Sequence, residues 1–408
     1  MEQPKVYFIN LALNHPDGIY HCGDTIKIFP TTFVNSIILN SGQLNWELFD
    51  NFKLINSGTL ELGTPGSSIS FVAEKAGGYQ CKITMSPPNE AAIEKMIGIV
   101  VDPAKITANW AIPDDFDQFW EAQKARLATI PMQIELTPVK AETCKLFDVQ
   151  IDCVDNIPVS GLLATQDNAK PGSCPAVISF HGAGVRGANY NEIIQYANKG
   201  IIALDINAHG VSNLNNPEYY EQLATGPLLD YQFKGFYDET ADNIYFVNMF
   251  LRVKRAIEFM ASRPEWDGKN LFLIGGSQGA FQTFAGAYLD DRVTAIATGV
   301  PAGSNMPEAG WPFSYGELEN ITQAQRQQQY KNAPYVDNVS FASKLTIPAA
   351  MTVGLIDNTC SPNGVYAVYN AYQGEKVIFA GPEMPHAQES ALWNKCLEYI
   401  KNYLNESK

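Results

Sequence analysis

Hydrophobic and polar positions change their rhythm twice along this chain. Over the first hundred residues the apolar positions come in short runs: Val6 to Leu13, Thr25 to Phe29, Leu44 to Phe49, Lys53 to Leu62, Ser68 to Ala73, Tyr79 to Met85 and Ile97 to Val101. Gly, Pro, Asn and Asp separate them. Runs this short, rich in β-branched and aromatic residues and closed by turn formers, predict strands. About seven strands in about 100 residues predict an immunoglobulin-like β-sandwich over residues 1–103. Gly78-Tyr79-Gln80-Cys81 fits the tyrosine corner of such a sandwich. Cys22 precedes the Gly23-Asp24 turn rather than lying inside a strand, so a Cys22–Cys81 bridge stays open. A sandwich in this position reads as a packing or spacer unit, or as a module that binds glycan or positions substrate; fold alone does not choose.

After Asp102-Pro103 the period lengthens. Pro113-Asp114-Asp115-Phe116-Asp117-Gln118-Phe119-Trp120 opens a helix, with proline and acids suited to a first turn. Phe116, Phe119 and Trp120 fall at i, i+3 and i+4 on one apolar face, which predicts a lead-in helix docked onto the next domain. It ends before Pro131, so residues 104–131 join residues 104–408 as the second domain.

From Leu146 onward strands alternate with helices. Phe147 to Val154 and Val159 to Ala164 read as paired strands. Ala176 to Phe180, Ile201 to Asp205, Leu271 to Ile274, Thr294 to Gly299, Ala349 to Gly354 and Lys376 to Ala380 read as buried strands. Tyr190 to Asn198, Phe246 to Ala261 and Ala391 to Leu404 read as helices. That alternation predicts an α/β fold with a doubly wound, mostly parallel sheet, whose ligands bind at the carboxyl ends of the strands. Asn207 to Asp242 is a long polar insertion expected to cover part of the site.

One stretch organises this half. The strand Leu271 to Ile274 runs into Gly275-Gly276-Ser277-Gln278-Gly279 and then a helix, Ala280 to Leu289. Strand, G-x-S-x-G and helix are the context of an α/β-hydrolase nucleophile elbow. Gly275 and Gly279 remove side chains that would collide around the serine, and the helix aims its positive end at developing charge. Ser277 is therefore the candidate nucleophile. It needs a base, and histidine is the usual one. The five histidines are His15, His21, His181, His209 and His386. In the chain order of this fold serine precedes the acid and the acid precedes histidine, so His386 is the base by elimination. Asp357 ends the strand within Gly354-Leu355-Ile356-Asp357-Asn358 and is the candidate acid; Asp290, Asp291 and Asp337 sit in connecting segments. Oxyanion donors are expected from the backbone N–H of Gln278 and, in the loop His181-Gly182-Ala183-Gly184, of Ala183. His181 then holds that loop together with Gly182. His209 reads as structural in the first place and as a substrate contact in the second.

Composition narrows the partners. A formal net charge of −15 argues against nucleic acid and against an anionic membrane surface. No apolar run approaches the ~20 residues that span a bilayer, so no membrane insertion is expected. The seven cysteines form no C-x-x-C, so neither a zinc knuckle nor a redox motif is indicated, and no metal site is expected. Met1 to Ile9 lacks the basic start and apolar stretch of a secretion signal. The expectations are a periplasmic or extracellular protein whose signal peptide lies outside this sequence, or a cytoplasmic one.

Pro113 to Trp120, Phe180-His181-Gly182, Gly275-Gly276-Ser277-Gln278-Gly279, Gly354-Leu355-Ile356-Asp357-Asn358 and the late His386 together resemble the acetyl xylan esterase and cephalosporin-C deacetylase family of carbohydrate esterases. The resemblance covers about residues 104 to 404. It implies an α/β-hydrolase that removes acetyl groups from sugars of the xylan or xylo-oligosaccharide type, with no cofactor. It also implies a homo-oligomer whose active sites face a restricted interior. Three positions depart from the family pattern: Ala183 where tyrosine is usual, Asn207-Ala208-His209-Gly210 where Arg-Gly-Gln-Gly is usual, and Ala280 where glycine is usual. A prolyl-oligopeptidase-like peptidase shares the fold and the triad, and a glycan-binding protein on an inactive hydrolase scaffold is the non-enzymatic alternative. Every catalytic candidate lies after residue 180, so the hydrolase domain is expected to act without the sandwich.

Overall fold

The computed structural model describes residues 5–63, 66–309 and 321–406. Among the described residues, nine strands build the amino-terminal part: β1 (Tyr7–Leu13), β2 (Ile19–Tyr20), β3 (Thr25–Val34), β4 (Ile37–Ile38), β5 (Gln43–Asp50), β6 (Lys53–Glu61), β7 (Ile69–Val72), β8 (Gly77–Met85) and β9 (Ile93–Val101). They form two sheets, one of β1, β3, β4 and β7, the other in the order β2-β9-β8-β5-β6. Alternation dictates the packing. Leu11, Leu13, Ile26 and Ile28 from the first sheet share one buried core with Cys81, Ile83, Ile97 and Ile99 from the second. The Tyr79 hydroxyl donates back to Lys75 O at 3.0 Å, as a tyrosine corner does. Cys22 is exposed and Cys81 buried, and both thiols are free. Strands β2 and β4 have two residues each, too few to produce a readable period.

Among the described residues of the second half, nine strands form one sheet. Its strands are β10 (Ile134–Val139), β11 (Lys145–Ile151), β12 (Val159–Thr165), β13 (Cys174–Phe180), β14 (Ile202–Ile206), β15 (Trp266–Gly276), β16 (Ala295–Gly299), β17 (Ala349–Gly354) and β18 (Lys376–Gly381). Their order is β10-β11-β12-β14-β13-β15-β16-β17-β18. The first four pair antiparallel; from β14 to β18 every pairing is parallel. The chain leaves β13 toward β14 on one side and later places β15 on the other. The carboxyl ends of β13 and β15 therefore flank the topological switch point, where such sheets bind ligands. Strand β10 escaped the sequence reading because it is an exposed edge strand interrupted by Pro138.

Helices cover both faces. Helix α1 (Phe116–Ala128) starts after Asp115, three residues later than its proline suggested, because Pro113 to Asp115 form a turn closed by Phe116 N–H onto Pro113 O. Phe116 and Trp120 are buried, and Trp120 Nε1 donates to Tyr335 O at 2.9 Å. This helix shares one core with α4 (Tyr245–Ala261) and α5 (Gln278–Leu289). On the opposite face α2 (Tyr190–Asn198) and the closing helix Ser390–Glu406 contribute Ile193, Ala197, Cys396 and Ile400. The insertion between β14 and α4 contains a short helix, α3 (Pro217–Ala224), and sends Tyr231, Phe233 and Phe236 into the core.

Candidate active site

Strand β15 ends in two glycines and hands the chain to α5 through Ser277, whose backbone lies at φ 55° and ψ −121°. A non-glycine residue there is strained by ~1–3 kcal/mol, and the surroundings must hold it. They do: Ser277 N–H donates to Gly299 O at 2.8 Å, and Ser277 O accepts from Phe281 N and Ala302 N. The flanking glycines are required by space. A Cβ on Gly279 would lie 2.0 Å from Phe180 O, and one on Gly275 would lie 2.4 Å from Gly279 C.

Ser277 Oγ is 3.0 Å from His386 Nε2, and His386 Nδ1 is 2.9 Å from Asp357 Oδ2. The three residues come from the ends of β15, β17 and β18, which the parallel sheet aligns. Asp357 is fully buried, and its other oxygen accepts from Thr359 N and Cys360 N, both at 2.8 Å. Two backbone donors and the imidazole thus satisfy the carboxylate and fix its direction. Asp337 is occupied elsewhere: it accepts from Asn305 N, Met306 N and Val339 N. Asp290 is held by Lys254 and Arg292, and Asp291 is exposed.

Cys360 escaped the sequence reading. Its thiol sits beside the triad, where burial first and the Asp357 charge second push it well above the ordinary thiol range. It stays protonated and does not compete with Ser277. Asp357, Cys360 and His386 offer three metal-type ligand atoms within 4.8 Å of one another. Two of the three are already bonded to each other, and the third is a protonated thiol, so the set is poorly suited to a metal.

The loop after β13 closes over the elbow. A Cβ on Gly182 would lie 3.5 Å from Ser277 Cβ, which places this loop against Ser277; Ala183 follows, exposed. His181 Nδ1 lies 2.6 Å from Gly182 O, and its Nε2 is 3.4 Å from Ala208 N, which donates to it. Burial first, then the Arg186 charge, lowers its pKa to about 4, so the ring is neutral and braces the loop. Tyr231 joins the two sides: its hydroxyl donates to the Gln278 side chain and accepts from Gly184 N. Only the composition of the insertion, not its period, hinted at this residue. His209 is buried beneath Tyr231 and bonds Tyr245 Oη at 2.8 Å. Burial, ahead of Arg252, lowers its pKa to about 3. It lines no part of the cleft, so its place is structural.

A cleft of about 320 Å³ opens over Ser277 and His386, with Arg186, Glu192, Gln388 and Trp393 in its walls. None of the insertion's aromatics lines it. Among the described residues, the cleft is lined by the ring of the buried Phe180 at its base and by Trp393, half-buried on the closing helix.

The acetyl xylan esterase family model matches residues 104–403. An acetyl esterase of Xylanibacter ruminicola is 27% identical over 389 residues, covering 91% of this chain and 85% of that protein. The match therefore extends into the amino-terminal sandwich. Among solved structures, acetyl xylan esterase 1 from Thermoanaerobacterium sp. superposes with a TM-score of 0.64 at 21% identity, covering 73% of this chain and 96% of that one. The acetyl xylan esterase from a Paenibacillus species gives 0.63 at 23% identity, covering 74% and 98%. These two likenesses establish the α/β-hydrolase fold.

Proposed function

Because the chain belongs to the acetyl xylan esterase family and is thereby a carboxylic ester hydrolase, we propose that it removes acetyl groups from xylan-type saccharides through a Ser277–His386–Asp357 acyl-enzyme mechanism. The observation that carries the mechanism is the continuous relay from Ser277 Oγ to His386 at 3.0 Å and on to Asp357 at 2.9 Å, on a strained elbow. His386 Nε2 takes the serine proton as Oγ attacks the acetyl carbonyl carbon. Asp357 keeps Nδ1 protonated and stabilises the imidazolium. Backbone N–H groups of Gln278 and Ala183 receive the oxyanion, and the positive end of α5 adds to that field. The carbon–oxygen bond to the sugar then breaks, and His386 returns the proton to the departing sugar oxygen. Water, deprotonated by the same imidazole, attacks the acetyl-serine; the bond between the acyl carbon and Oγ breaks, His386 returns the proton to Ser277 Oγ, and acetate leaves.

The saccharide side of the reading is supported by the walls of the cleft. Trp393 offers a flat apolar face to a sugar ring, and Arg186 and Glu192 offer donors and acceptors to its hydroxyls. Acetate release from acetylated xylo-oligosaccharides, beside hydrolysis of p-nitrophenyl acetate and of an aminoacyl-nitroanilide, tests the whole reading. Both esters are expected to be cleaved and the anilide left intact. Trp393→Ala is expected to raise KM for the oligosaccharide and to leave p-nitrophenyl acetate nearly unchanged. A faster anilide reaction would point to a peptidase, and silence on both esters would leave only a binding role.

A further inference from the structure

The sequence expectation that the hydrolase acts without the sandwich counts residues, not contacts. Asp357 and His386 sit on two turns, residues 354–357 and 381–386, which are bonded to each other: Leu355 N–H donates to Gly381 O at 2.9 Å and Ile356 N–H to Met384 O at 3.3 Å. Both turns lean on the sandwich. Gly98 N–H of β9 donates to Pro382 O at 2.7 Å. Gln80 of β8, fully buried, donates from Nε2 to Leu355 O at 3.3 Å, while its Oε1 accepts from Phe52 N. The approach at Gly98 is so close that a Cβ there would stand 2.3 Å from Leu355 O and 2.5 Å from Leu355 Cβ. Gly18 closes on the same pair, Leu355 and Pro382. Val100 and Leu355 share a buried cluster with Val353 and Tyr366, so the seam is apolar as well as hydrogen-bonded. Leu355 lies two residues before Asp357, and Pro382 four before His386.

We propose that the amino-terminal sandwich is a positioning element of the active site, with Gly98 and Gln80 clamping the turns that carry Asp357 and His386 in mutual register. This rests on the catalytic reading of those two residues. A spacer would touch the hydrolase anywhere on its surface. This domain instead places one main-chain and one buried side-chain hydrogen bond on the two turns behind the acid and the base. A misplacement of about 1 Å in a catalytic group can cost about 10²-fold in rate, even when its cause lies away from the chemistry.

Three variants of the full chain test it. Gly98→Ala inserts a methyl group against the Leu355 backbone. Gln80→Ala removes the donor to Leu355 O without adding bulk and is the milder change. Ile83→Ala weakens the sandwich from inside its own core, where Ile83 is buried away from the seam. With p-nitrophenyl acetate, kcat is expected to fall about 10²-fold in Gly98→Ala and several-fold in Gln80→Ala, with KM little changed. The downfield Nδ1–H resonance of His386 should weaken in both. Ile83→Ala should lower Tm and leave kcat and the resonance intact. The proposal is overturned if folded Gln80→Ala and Gly98→Ala keep wild-type kcat and resonance. It is equally overturned if Ile83→Ala loses as much kcat as they do, since that would be mere loss of stability. Should Gly98→Ala fail to fold, Gln80→Ala against Ile83→Ala decides. Ser277→Ala separates the two readings: an active Ser277→Ala sinks the mechanism, whereas an inactive one beside wild-type seam variants sinks only the clamp.

Discussion

Replacing Gly279 by alanine adds one methyl group to the tightest point of the elbow. That carbon would stand 2.0 Å from Phe180 O, 2.8 Å from Phe180 C and 3.0 Å from His181 O. Carbon and carbonyl oxygen ordinarily approach no closer than about 3.3 Å. Roughly 1.3 Å must therefore be found between the start of α5 and the end of β13, given that contact distance. Neither side has a flexible side chain to yield: both partners are backbone, inside the buried centre of the sheet. Overpacking of this kind costs about 1–3 kcal/mol in stability. The movement falls on Ser277, two residues away, and on the loop that carries Ala183, so it separates the Ser277 hydroxyl from the proposed oxyanion donors. A displacement near 1 Å predicts a loss of about 10²-fold in kcat/KM. Gly276→Ala is the internal comparison. Its added carbon would meet only the Gln388 side chain, with Oε1 at 3.2 Å, and Gln388 is exposed and free to turn. Its effect should be much smaller than that of Gly279→Ala, because only an exposed side chain of the cleft wall has to move and no backbone does. Hydrolysis of p-nitrophenyl acetate and thermal denaturation of both variants provide the assay. Wild-type activity and Tm in Gly279→Ala, or equal damage in Gly276→Ala, would refute the steric account of the elbow.

Ser277→Ala, His386→Ala and Asp357→Asn should each cost about 10⁴ to 10⁶ in turnover, and combining them should add little, because they act as one unit; additive losses in the double variants would count against a relay. Acetyl esters should be cleaved faster than butyryl and longer ones, measured as kcat/KM across a p-nitrophenyl ester series; a rate that climbs through octanoate would indicate an open, lipase-like acyl site. Asp205 is buried, and burial pushes its carboxyl from 3.8 up to about 7, partly offset by donors from Ser179 and Asn189 N. The folded state therefore holds a proton that the unfolded chain has already lost, so this group's contribution is full below about 3.8 and is lost as pH rises through about 7. Asp205→Asn cannot ionise, and its Tm advantage over wild type should grow between pH 5 and pH 8; a flat difference would contradict this.

Much of the molecule was legible along the chain, and for local reasons. A strand that alternates buried and exposed residues, such as β1 from Ile9 to Leu13, and a helix with aromatics at i, i+3 and i+4, such as α1, carry their period in adjacent residues. The elbow was legible because its constraints are local too: Gly275, Ser277 and Gly279 are within five residues and meet one another in space. That Asp357 and His386 meet Ser277 could be anticipated from chain order, because parallel sheets place strand ends at one edge. Two-residue strands such as β2 and β4 and the exposed edge strand β10 carry too little burial to leave a pattern.

The remaining features were decided by contacts between segments far apart in sequence. Folding turned the insertion's Tyr231, Phe233 and Phe236 into the core and brought Trp393, from the last helix, to the cleft. Tyr231 acquired a role by bonding Gln278, a partner 47 residues away. Cys360 became a neighbour of Ser277 only because β17 lies two strands from β15. Gly98 looked like any glycine in a strand until Leu355 closed on it. Hydrophobic period and turn chemistry determine which elements form, since they act over a few residues. Which side chains then meet is set by how the sheet and the sandwich close, and that closure depends on the packing of the whole chain.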